Sequence, residues 1–230
     1  MNHTKISPSD WLNFFFPMRC LLCDHITNQK NTLCFQCSST LKYSGLEKNL
    51  VENDLVDLFK GRIPLYKGYY HFQNDAQGVA KKIIHEMKYT CNMNLVEIVA
   101  NSISTEVKGE FNVDCILPVP LSPKKQKQRG FNQSERIASH VFGPDKIYQD
   151  LVRRVEHTDS QTGFGKFKRW ENMESAFEVN TDAIGRLSKD SKIVIVDDVV
   201  TTGSTVESIM VQLRNYSSDF QLSLFSLLKA

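Results

Sequence analysis

From Ile193 to Val196 the chain is apolar and β-branched without interruption, and this run ends on two adjacent acids, Asp197 and Asp198. An unbroken run of this kind predicts a central strand covered by helices on both faces. Two carboxylates cannot be left in such a core, so the strand must emerge into a cleft at its carboxyl end, where open α/β sheets hold their ligands. Two residues further on, Thr201, Thr202, Gly203, Ser204 and Thr205 supply hydroxyls and a glycine free to take positive φ, and a helical pattern runs from Val206 to Leu213. Backbone N–H groups at a helix start behind such a turn form a phosphate site. The stretch therefore predicts a phosphate in the turn, with the acids facing the polyol or metal end of the same ligand. A competing reading makes the acids a solvated turn and the Thr-rich segment a simple helix cap. Strand, acids and turn coincide in one thirteen-residue pattern, which favours the ligand site.

At 230 residues the chain has room for one α/β domain and a small appendage. Its 41% hydrophobic and 23% charged residues predict a packed core. A net charge of +2 excludes a global polyanion-binding character and leaves only local contacts with nucleic acid. The apolar run from Trp11 to Phe16 is short and stopped by Pro17, so no membrane insertion is expected. The N-terminus has no basic region followed by a long apolar core, and a cytoplasmic location is expected.

Cys20, Cys23, Cys34 and Cys37 form two Cys-x-x-Cys knuckles separated by ten residues. Two knuckles complete a closed tetrahedral zinc site, and in so short a segment the metal supplies the folding free energy. Disulfides or a redox dithiol are the alternatives, disfavoured in a reducing compartment. His25 lies nearby but the four cysteines already fill the shell. Cys91 and Cys115, among apolar neighbours, read as small buried side chains.

Ahead of the knuckles, Ile6 to Phe16 has an amphipathic pattern and Ser9 or Asp10 to cap a short helix. Ser38 to Lys60 reads as a connecting helix or linker, giving an N-terminal unit over residues 1–60, with its ribbon at 20–37, and a second unit over 61–230. Ile63 to Phe72 predicts a strand or hairpin arm, and the spacing of Ala76, Val79, Ala80, Ile83, Ile84 and Met87 predicts a helix ending near Tyr89. Asp114 to Pro120 reads as a second buried strand that runs into two prolines and must end and turn at Pro118. Beyond it lie Lys124, Lys125, Lys127 and Arg129, then a helix from Ser134 to about Val141. By composition these cations are a solvated face, a polyphosphate site or a contact for a nucleic-acid backbone. The polar segment up to Asn172 is of a length that compact domains reserve for function or leave disordered. The last apolar segment, about Phe220 to Leu228, alternates with Ser and Gln and predicts an edge strand.

The strand, acid pair and Thr-Thr-Gly-Ser-Thr turn closely resemble the phosphoribosyl pyrophosphate (PRPP) signature of type I phosphoribosyltransferases. The wider pattern is similar to the ComF family over nearly the whole chain: paired Cys-x-x-Cys, Ile84 to Tyr89, Pro118-Val119-Pro120-Leu121, Arg129-Gly130-Phe131-Asn132-Gln133, and Arg154, Thr158, Gln161, Arg169, Asn172, Ala176 and Phe177. The resemblance implies an α/β fold of the type I phosphoribosyltransferase kind, a doubly wound, mainly parallel sheet with a small N-terminal four-cysteine zinc ribbon. It implies that Thr201, Thr202, Gly203, Ser204 and Thr205 hold the 5-phosphate of PRPP. Asp197 and Asp198 would lie beside the ribose hydroxyls and the Mg2+ shell. Lys88 would point toward the cleft, and Arg129 and Asn132 would meet the pyrophosphate, Arg129 through its planar fork. The segment from Arg154 to Asn172 corresponds to a lid carrying Arg169, which would exclude water while an oxocarbenium-like centre forms. Implied cofactors are structural Zn2+ and Mg2+ bound with PRPP. The activity implied is transfer of phosphoribose to an acceptor of unassigned class, for which no general base stands out. An alternative from the same resemblance is a non-catalytic PRPP-sensing or DNA-uptake protein of natural competence, with a DNA-translocating helicase or single-stranded DNA as partner. Self-association as a homodimer is left open.

Overall fold

The computed structural model describes residues 16–90, 92–155 and 176–230. The amphipathic segment before Phe16, Cys91, and the lid positions Thr158, Gln161, Arg169 and Asn172 lie outside the described residues. The main sheet has four strands: β1 (Lys67–Gln73), β2 (Cys115–Pro118), β5 (Lys192–Val200) and β6 (Gln221–Lys229). Their spatial order is β1-β6-β5-β2, and every pairing is parallel. A separate antiparallel pair joins β3 (Val152–Arg154) to β4 (Phe177–Val179).

Alternation along β5 feeds two cores. Val194 and Val196 join Phe225 and Leu227 on one face, while Ile193 and Ile195 join Leu222 and Leu224 on the other. All eight are fully buried, each contributing about 1.5–3 kcal/mol. Helices cover both faces, as the unbroken apolar run of β5 predicts. On the first lie α3 (Val79–Tyr89), α4 (Met93–Ser102), α5 (Thr105–Glu110) and α7 (Gln133–Phe142). On the second lie α2 (Asp54–Asp57), α8 (Thr181–Ile184) and α9 (Ser204–Arg214). The chain therefore leaves β5 toward one face, through α9, and after β2 it packs α7 on the opposite face. The neighbouring ends of β5 and β2 form a switch point, where an open α/β sheet splays into a crevice.

The expected edge position of the last strand is corrected, because β6 pairs with β1 on one side and β5 on the other. Ser223 and Ser226 suggest a wet face, yet both are buried. Ser226 Oγ donates to Leu228 O at 3.1 Å within its own strand, so the hydroxyl is satisfied without water. The true edges are also covered. Tyr43 bridges antiparallel to Phe72, with Ser44 N–H donating to His71 O (2.9 Å) and Gln73 N–H to Lys42 O (2.8 Å). Ile147 bridges parallel to Ile116 at the β2 edge.

The basic segment after β2 is helical: α6 (Pro123–Arg129) starts at Ser122, whose Oγ accepts from Lys125 N–H, with proline in its first turn, and ends on Gly130 at φ 77°. The expected linker after α1 (Phe35–Thr40) is mostly irregular, yet Leu50 is buried in the first core and Leu55, Val56 and Phe59 in the second.

Candidate functional site

At the carboxyl end of β5 the chain turns through Thr201 and Thr202 to Gly203, which caps α9 at φ 76° and ψ 0°. Glycine is required there twice over: the φ is left-handed, and a Cβ would stand 2.7 Å from the Phe59 ring. Gly203 has no side chain to cap the helix, and the Thr202 hydroxyl accepts from Ser204 N–H at 3.5 Å in its place. Thr202 Oγ1 donates to Ser204 Oγ at 3.1 Å, folding the hydroxyls around a small hollow lined by Asp197 and by Thr201 to Thr205. The arrangement suits an anion.

Asp197 and Asp198 enter from the strand. Asp198 N–H donates to Asp197 Oδ1 at 2.9 Å. Burial, then the neighbouring Asp198 charge, pushes the Asp197 carboxyl up to about 7, against the opposing pull of its N–H bond, Lys88 and the Ser134 hydroxyl. Asp198 is paired with Lys88, whose Nζ lies 2.9 Å from Oδ1. Lys88 ends α3, a helix anchored at its other end by Asp75, whose two carboxylate oxygens accept from Val79 N–H (2.9 Å) and Ala80 N–H (3.0 Å). Burial raises the Asp75 pKa, but the N–H groups of Ala80, Val79 and Gly78 outweigh it and hold the carboxyl below its ordinary range.

From the β2 side, Asn132 caps α7: its Oδ1 accepts from Ser134 N–H and its Nδ2 donates to Val119 O, both at 3.0 Å. Val119 N–H in turn donates to Val196 O, which ties this loop to β5 just ahead of the acids. Arg129, ending α6, donates to Gln133 Oε1 at 2.8 Å and lies 5.3 Å from the Tyr89 ring centre. The structure thus brings Asp197, Asp198, Lys88 and Thr201 to Thr205 directly together. Asn132 holds the β2 loop beside them, and Arg129 lies over Tyr89, the sequence neighbour of Lys88. Arg169 lies outside the described residues. Ser134, Tyr89 and Phe59 were not singled out by sequence; a serine at the second position of a helix and an aromatic in a linker carry no distinguishing pattern.

The second site is in the N-terminal segment. The sulfurs of Cys20, Cys23, Cys34 and Cys37 lie within 4.8 Å of one another, the one such group among the described residues. Four thiolates on one zinc at about 2.3 Å stand roughly 3.8 Å apart, so the donor set fits the metal. Cys34 N–H donates to Cys20 Sγ at 3.2 Å and Cys37 N–H to Cys34 Sγ at 3.5 Å, as in knuckles that orient thiolates. Burial opposes ionisation of Cys20, but N–H groups of Cys34, Leu22 and Cys23 draw it down to about 6. His25 Nδ1 lies 3.4 Å from Cys23 Sγ, beside the shell.

Residues 11–48 match the family model of the double zinc ribbon domain. Competence protein F of Haemophilus influenzae is 34% identical over 107 residues, which span 44% of each chain. DNA utilization protein YhgH of Escherichia coli K12 is 28% identical over 218 residues, 88% of this chain and 87% of its own. Competence protein ComFC of Streptococcus pneumoniae is 25% identical over 216 residues, 84% of this chain and 91% of its own. Over most of its length the chain is similar to DNA utilization protein YhgH and to ComFC, and over part of it to competence protein F. Its ribbon segment has four cysteines, sufficient for one zinc, and the segment that follows, residues 42–44, is stitched to β1. Among the described residues no helix is long and apolar enough to cross a membrane.

Proposed function

We propose that this protein binds PRPP with magnesium in the crevice between β5 and β2 and transfers phosphoribose to an acceptor, releasing pyrophosphate, in the service of DNA utilization. The observation that carries the reading is the coincidence at one strand end of the Gly203 turn, the Asp197 and Asp198 pair, and Lys88 arriving from α3. An anion-binding turn beside an acid pair fits a ligand with a phosphate at one end and hydroxyls a few ångströms away. Magnesium would neutralise pyrophosphate charge, and Asp197 and Asp198 are the residues that would hold its shell and the ribose. The turn fixes the 5-phosphate, which orients the ring and its anomeric carbon. There the acceptor bonds as the bond to pyrophosphate oxygen breaks. The Asp198 charge stabilises the positive character the ring gains, while Arg129 and, as the resemblance implies, Arg169 would meet the leaving group. Support for the DNA connection comes from the relatives, which are competence protein F, ComFC and DNA utilization protein YhgH.

A second reading, a PRPP-responsive accessory protein without turnover, is favoured by two exposed surfaces. The ribbon presents Ile26 and Phe35 at 68% and 86% exposure, and α6 presents its lysines to solvent, as surfaces for a helicase or single-stranded DNA. Calorimetric titration with PRPP, with and without magnesium, followed by a pyrophosphate-release screen over nucleobases and ammonia, separates the two. Saturable magnesium-dependent binding with release supports the transferase; binding without release over all acceptors supports the accessory protein. Absence of binding contradicts both.

A further inference from the structure

Against the phosphate turn lies the segment around Phe59 and Arg62, where sequence reading places the boundary between the linker and the second unit. Phe59 fills the space under Gly203, and Arg62 stacks over Phe59 with its guanidinium carbon 5.6 Å from the ring centre. One nitrogen of that guanidinium, NH1, donates to Glu207 Oε2 at 2.7 Å and to Thr202 O at 3.4 Å, while NH2 donates to Leu58 O.

Two consequences follow from elementary chemistry. In a trans peptide, carbonyl and following N–H point to opposite edges of one plane. With the Thr202 carbonyl drawn back toward Arg62, the Gly203 N–H is directed to the other side, into the hollow between Thr201 and Thr205. Glu207 also stands in the first turn of α9, where its charge suits the helix dipole but opposes an anion at the same end. Arg62 pairs with that carboxylate and reduces its field at the turn.

We propose that Arg62, seated on Phe59, is a positioning residue for the 5-phosphate: it orients the Thr202–Gly203 peptide and offsets the Glu207 charge. The inference rests on the reading of this turn as the phosphate end of the ligand.

The test uses the full-length, zinc-loaded protein and three probes: ribose 5-phosphate, PRPP with magnesium, and magnesium pyrophosphate. Arg62→Ala is expected to weaken ribose 5-phosphate and PRPP about fivefold, the scale of an exposed charged contact, and to leave pyrophosphate affinity, zinc content and melting unchanged. Adding Glu207→Gln to Arg62→Ala is expected to recover part of the loss, which a merely structural defect would not do. Wild-type affinity for ribose 5-phosphate in Arg62→Ala overturns the proposal while PRPP binding by the wild type keeps the transferase reading. An equal loss for all three probes also overturns it. Ribose 5-phosphate binding that is weakened by Arg62→Ala, with no magnesium-dependent PRPP binding in the wild type, supports the positioning role and removes the transferase reading. A wild type that binds neither sugar phosphate contradicts both.

Discussion

The ribbon around Cys20 and Cys34 and the sheet around β5 share one chain but are held by different physics. Helix α1, which carries Cys37 and is capped by Cys34, buries no residue, and the ribbon has only partly buried leucines, Leu21, Leu22 and Leu33, against the first core, beside four sulfurs within 4.8 Å and a few N–H to sulfur bonds. Strand β5 places consecutive residues in two separate apolar cores, and needs no metal. The ribbon should therefore fail all at once when its ion is removed, whereas the sheet should fail by increments.

Chelation of zinc, or Cys34→Ser, is the largest test of that contrast. Metal binding in such modules is worth on the order of 10 kcal/mol, so the ribbon is expected to unfold, with faster amide exchange at Ser44 and Gln73, where its exit strand meets β1. Persistence of the β5 and β6 amides in the same experiment sustains the comparison; collapse of the whole sheet would break it. Gly203→Ala comes next. The added methyl meets Phe59 at 2.7 Å in a left-handed backbone, and a loss of about 3 kcal/mol by denaturant melting is expected, together with phosphate binding.

Buried His71 sharpens the comparison through pH. Its Nδ1 lies 2.9 Å from Tyr69 Oη and its Nε2 2.8 Å from Ser102 Oγ, which itself donates to Val99 O at 2.7 Å. Since the Ser102 hydroxyl proton is used, His71 Nε2 must donate and its Nδ1 accept, a neutral tautomer. Burial lowers its pKa from 6.5 to about 4. Below 6.5 the unfolded chain takes a proton that the fold refuses, so this stability is present above pH 6.5 and lost as pH falls toward 4, by up to about 3 kcal/mol. His71→Gln is expected to flatten that slope in pH-dependent melting.

Asp75→Ala removes the anchor of α3 and is expected to cost about 2 kcal/mol in stability and to loosen Lys88 at the far end, measured as weaker PRPP binding. A further test is the acid slope of the cleft. Asp197 holds a proton up to about pH 7 that the unfolded chain loses above 3.8, so its contribution to stability declines as pH rises between those values, opposite in sign to His71. Asp197→Asn removes that decline, and in the wild type PRPP affinity is expected to rise through about pH 7.

The apolar run of β5, the acid pair and the paired knuckles were legible because each couples an unusual residue type to a fixed spacing. The all-parallel sheet follows from alternating strand and helix signals. Other features depend on contacts distant in sequence. Serines in β6 look solvent-facing until Ser226 is seen bonding within its own strand. Phe59 and Arg62 lie about 140 residues from the turn they support, and no local pattern joins them to it. Ser134 beside Asp197 and Tyr89 beneath Arg129 were hidden for the same reason.

The most direct test of the central claim is calorimetric titration of PRPP and magnesium into the wild type and into Asp197→Asn/Asp198→Asn, with zinc measured on both. The account predicts one saturable magnesium-dependent site in the wild type, its loss in the double variant, and equal zinc content. Unaltered PRPP affinity in the double variant would contradict it.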